Sequence, residues 1–70
     1  MDTNNTILAK NLKAGDVVLA WSDLLQSVIA QKVKRVHRAT RKDWNHVTIY
    51  FRSGQVTTVL VDTPYRVAFD

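Results

Sequence analysis

The stretch at residues 46–61, HVTIYFRSGQVTTVLV, limits what this chain can become more than any other. Val47, Ile49 and Phe51 alternate with Thr48, Tyr50 and Arg52. A period of two puts the first set on one face of a strand and the second set on the other. Ser53-Gly54 then offers a tight turn, because glycine adopts the positive φ that hairpin turns require. The return segment runs from Gln55 to Val61. Asp62-Thr63-Pro64 closes it, since proline has no N–H to give to a ladder. A β-hairpin is expected here.

The remaining segments follow the same habit. DVVLAW (16–21) follows the turn signal Ala14-Gly15 and sets Val17, Leu19 and Trp21 on one face of a strand. SVIAQKVKRVHRA (27–39) begins apolar and becomes basic. Its Val33 and Val36 are three apart, which breaks alternation after Ile29. One β-bulge between Lys34 and Arg35 returns both valines to the core side. A helix also fits that spacing, but Val, Ile, His and Thr are poor helix formers, so a bent strand is preferred. Tyr65, Val67 and Phe69 share one side of a last short strand. Four or five short strands in one 70-residue domain indicate an all-β fold. The expected architecture is a small SH3-like or OB-like barrel of about five antiparallel strands, because curling removes exposed edges. Residues 6–70 form that barrel in this reading, and residues 1–5 a disordered tail.

Composition narrows the function classes. With no Cys, thiolate zinc sites and cysteine nucleophiles are excluded, and a reducing cytoplasm suits the chain. No apolar run reaches the ~20 residues needed to cross a bilayer, so a soluble protein without a membrane partner is expected. His37 and His46 lie on different expected strands, with no Glu in the chain to accompany them. A His with Asp43 and a Ser supplies the residue types of a triad, but spacing alone means little, and no recognised metal-ligand spacing is present. The expectation is a binding protein, not an enzyme, with no metal and no cofactor.

Charge is concentrated in one place. Residues 32–42, KVKRVHRATRK, hold six Lys or Arg and no acid, in a chain of net charge +4. All six acids are Asp, several at turn-like positions such as Asp16, Asp23 and Asp62, where a carboxylate accepts backbone N–H bonds. With the bulge, Lys32, Lys34, Arg35 and His37 point outward, and Arg41 and Lys42 lie in the following loop. Arg38 falls on the Val36 side and joins the patch only where the strand has ended. Bases along a strand track successive phosphates, since the strand advances ~3.3 Å per residue. Trp44 in the polar loop RKDWNH, Tyr50 on the outer face of the hairpin, and Arg52 complete a stacking platform beside that track. Lysines on an exposed strand also prevent edge-to-edge aggregation without binding anything. Nucleic acid, DNA or RNA and bound without sequence selectivity, is the leading partner.

A second surface comes from SDLLQ (22–26). Leu24 and Leu25 are adjacent, so one sheet face cannot bury both. The preferred reading is a helical turn N-capped by Ser22 that covers the barrel end through one leucine. The alternative leaves a leucine exposed beside Trp21, as a contact for a protein partner or a homodimer. A third idea is an aromatic cage for a methylated cation, built from Trp21, Trp44, Tyr50 and Tyr65.

Three motifs together carry a resemblance: the L-x-x-G-D-x-V opening of LKAGDVV, the V-x-x-V of VKRV, and the V-x-I-x-F-x-x-G of VTIYFRSG. They resemble small SH3-like β-barrel proteins of phage and other mobile elements, over most of residues 12–69. The resemblance implies a barrel and, among such proteins, binding of nucleic acid or of protein, including a phage-type adaptor or inhibitor. LKAGDVV also looks like an early strand of the Hint fold of inteins. This chain has Met1 where that family has a nucleophilic Cys or Ser, and Phe69-Asp70 where it has His-Asn, so self-splicing is not expected.

Overall fold

A computed structural model describes residues 5–38 and 45–68. Six strands form: β1 (Thr6–Leu8), β2 (Val17–Ser22), β3 (Ser27–Arg38), β4 (His46–Phe51), β5 (Val56–Leu60) and β6 (Pro64–Arg66), with one 3-10 turn at Ala9–Asn11. The all-β expectation holds. No helix among the described residues is long and apolar enough to cross a membrane. The expected tail at residues 1–5 lies outside the described residues except for Asn5. Its carbonyl accepts a hydrogen bond from the Val67 N–H at 2.8 Å.

Strands β2-β3-β4-β5 make one antiparallel sheet in that order, and β1 and β6 make a second, two-stranded one. The larger sheet curls into half a barrel. β6 joins its β2 edge through the bridge Val18↔Val67 and the Ala68 N–H to Val17 carbonyl bond of 2.9 Å. The 3-10 turn then reaches the segment after β5: the Ala9 N–H donates to the Thr63 carbonyl at 2.8 Å, and Lys10 N–H to the Val61 carbonyl at 2.9 Å. The first strand, Thr6–Leu8, was not expected from the sequence. Three residues are too few to show a period.

One strand carries the curvature. Residues 27–32 of β3 pair with β2, and residues 33–38 pair with β4. The change of partner coincides with a register shift between Val33 and Arg35: Val33 pairs with Phe51 and Arg35 with Tyr50, so Lys34 is the extra residue. The bulge expected from the valine spacing is therefore present. Val33 is buried and Val36 packs against the core.

The core is Leu12, Val18, Val33, Val47, Ile49 and Phe51 with Ala9 and Ala20, backed by Ile7, Val36, Val59 and Tyr65. In β2 the buried face is Val18, Ala20 and Ser22, while Val17, Leu19 and Trp21 share the outer one. Gln31 is buried with its amide satisfied: Nε2 donates to the Trp21 carbonyl at 3.1 Å, and Oε1 accepts from Ser53 Oγ at 2.7 Å.

Candidate nucleic-acid interface

The corner where β3 changes partner also gathers charge. Both of its edges are held there. Gly15 N–H donates to the Val33 carbonyl, Val33 N–H to the Asp16 carbonyl, and Arg52 N–H to the Lys32 carbonyl, at 2.9, 2.7 and 2.8 Å. Gly15 has φ +98°, a conformation that side chains rarely adopt, so glycine is needed for the turn. Around this backbone lies an open hollow of about 450 Å³, lined by Ala14, Gly15, Lys32, Val33, Lys34 and Arg52. Three cations and no carboxylate line it. Asp16 is nearby but committed: its carboxylate lies 3.8 Å from Lys13 Nζ and accepts the Lys13 N–H at 3.0 Å. That is the one ion pair among the described residues.

Beside the hollow, Arg35 lies with Cζ 4.3 Å from the centroid of the Tyr50 ring. Such a cation–π contact holds a guanidinium on the outer face of the sheet. His37, opposite Thr48, extends the same face along β3.

The nine residues of the expected nucleic-acid surface thus divide. Lys32, Lys34 and Arg52 meet at the hollow. Arg35 and Tyr50 stack next to it. Arg38 is turned away: Nε donates to the Lys10 carbonyl at 3.2 Å, and an Nη group to the same carbonyl and to that of Leu12. It ties β3 to the 3-10 turn, as its place on the Val36 side implied. Arg41, Lys42 and Trp44 lie outside the described residues. Arg52 joins the two lysines only through cross-strand pairing. Its place in the turn after an alternating strand was the one local sign of exposure.

The other expected surface lies at the hairpin tip. Ser22 Oγ accepts the Leu25 N–H at 3.1 Å, so the cap forms. The preferred burial of one leucine does not: Leu24 is 89% exposed and Leu25 58%. Four residues between β2 and β3 close an i to i+4 bond, Gln26 N–H to Ser22 carbonyl at 2.7 Å, which projects the turn beyond the barrel end. Trp21, 48% exposed, is pinned by its indole N–H donating to Asp23 Oδ1 at 3.0 Å. A second open hollow, of about 420 Å³, lies between Leu24, Leu25, Ile29 and Val56. Its Gln55 amide is already spent, accepting from Asp23 N–H at 2.9 Å and donating to the Trp21 carbonyl. With few free polar groups to orient a ligand, this hollow is less site-like than the basic one.

Among the described residues the aromatic cage does not assemble, and Trp44 lies outside them. Tyr65 packs against the core, Tyr50 under Arg35, and Trp21 at the hairpin tip. Compared with known proteins, the chain matches no family model, no curated protein and no solved structure.

Proposed function

We propose that this chain is a non-enzymatic binding module whose ligand is nucleic acid, DNA or RNA, held through its phosphates. One observation carries the reading: Lys32, Lys34 and Arg52 converge on an open hollow with no carboxylate among its lining residues. Three cations that repel one another and lack ion-pair partners among the described residues are best explained by an anion that binds between them. Arg35 on Tyr50 adds a fourth cation on the same side. Arg41, Lys42 and Trp44 enter the proposal on sequence grounds alone, as residues of the loop expected after the basic strand. Phosphate contacts position a protein without reading sequence, so little selectivity is expected. The resemblance to small barrels of mobile elements agrees with such a role, and a cytoplasmic setting suits a chain without cysteine.

Fluorescence anisotropy with labelled oligonucleotides tests this. Three phosphate contacts give a slope of log K against log salt of about −2 to −3. The double variant Lys34→Glu/Arg52→Glu should abolish retention. Unchanged binding by that variant removes the hollow from the proposal.

A second reading is favoured by the exposed pair Leu24 and Leu25 beside the pinned Trp21: contact with a protein partner or a second copy, as in a phage-type adaptor. Charge reversal at the hollow leaves that contact intact. Leu25→Ser with Trp21→Ala removes it.

A further inference from the structure

We infer that the nucleic acid is single-stranded, and that one of its bases stacks on the Arg35 guanidinium while an adjacent phosphate sits among Lys32, Lys34 and Arg52. This rests on the nucleic-acid reading above. In a regular strand, neighbouring side chains point to opposite faces. The bulge interrupts that rule here: the register shifts between Val33 and Arg35, and the neighbours Lys34 and Arg35 are both exposed. A cation suited to a phosphate and a planar group suited to a base are thereby placed side by side on one surface.

Arg35 is exposed, with its guanidinium 4.3 Å from the Tyr50 ring centroid. The tyrosine face is occupied, and the guanidinium is the outermost layer of the stack. A guanidinium is planar, delocalised and weakly hydrated, and unpaired bases stack on such planes. Ring and guanidinium hold each other in place, so little side-chain freedom is lost when a base arrives.

The surroundings favour this ligand over a duplex. β3, β4 and β5 contain no Asp or Glu, so no acid on these strands repels the backbone of the strand. Bases in a duplex are covered by their neighbours and reach a stacking group only after being flipped out. Among the described residues there is no α-helix to enter a major groove.

The test is anisotropy with the whole chain at one low salt concentration. The probes are oligothymidylate, an abasic strand of the same length, an oligouridylate, and a duplex of that length. Oligothymidylate or oligouridylate should bind about tenfold more tightly than the abasic strand, the scale of one stacked base. A preference by either strand over the abasic one supports the inference. Arg35→Lys keeps the charge but removes the plane, so it should erase that preference while preserving the salt slope. Tyr50→Leu should do the same by removing the ring beneath. An abasic strand bound as tightly as oligothymidylate, a duplex bound more tightly than either, or a preference that survives in Arg35→Lys, overturns the stacking inference and leaves the phosphate site standing. Failure of every probe to bind overturns both.

Discussion

At the residue scale, two side chains separate stability from binding. Arg38 was part of a basic run in the sequence, yet its donors serve the carbonyls of Lys10 and Leu12. Arg38→Ala should therefore cost stability, about 1 kcal/mol, and leave oligonucleotide affinity nearly unchanged. For a domain of this size that lowers Tm by roughly 4–8 °C in a thermal melt. Tyr65 makes a complementary case. Half-buried against the core, its phenol is pushed above its ordinary value of 10.0 by desolvation. The folded state then holds the phenolic proton more tightly than the unfolded chain does. This tyrosine's contribution to stability is complete below about pH 10 and is lost as the pH rises through the folded value. Urea titrations from pH 8 to 11 should show that loss, and Tyr65→Phe should remove this tyrosine's share of it.

At the element scale, the two hairpins behave differently. The β4–β5 turn closes with Phe51 N–H on the Gln55 carbonyl and Gly54 N–H on the Phe51 carbonyl, both at 2.9 Å. It requires Gly54 at φ +101°, with open space where a Cβ would stand. Gly54→Ala should thus cost about 1–2 kcal/mol through backbone conformation alone, measurable by chemical denaturation. The β2–β3 turn carries Leu24 outside the barrel. Leu24→Ser should change stability by less than about 0.5 kcal/mol, whereas burial under the barrel would make it several times costlier. Adjacent leucines show that one must leave a sheet face. Which one leaves, or whether both do, depends on the length of the turn.

At the scale of the whole molecule, the barrel relies on few large side chains and no disulfide. Phe51 is 2% exposed and the largest of the fully buried side chains. Phe51→Ala should cost about 3–5 kcal/mol, a large part of what so small a domain has, and circular dichroism should report a largely unfolded population.

The sequence by itself determined the β habit of the chain. Alternation of Val47, Ile49 and Phe51, the Ser53-Gly54 turn, and the bulge between Val33 and Val36 are local signals, set by side-chain period and backbone conformation within a few residues. The short strand Thr6–Leu8 was not legible, because three residues hold no period and its partner, Tyr65 among them, is nearly sixty positions away. The same limit governs the candidate site. The run from Lys32 to Arg38 announced its charge, but not that Arg38 would bond to Lys10, or that Arg52 would join Lys32 and Lys34 at one hollow. Those neighbours are fixed by register and chain closure. Only the tertiary structure decided them, since they arise from pairing residues far apart in the chain.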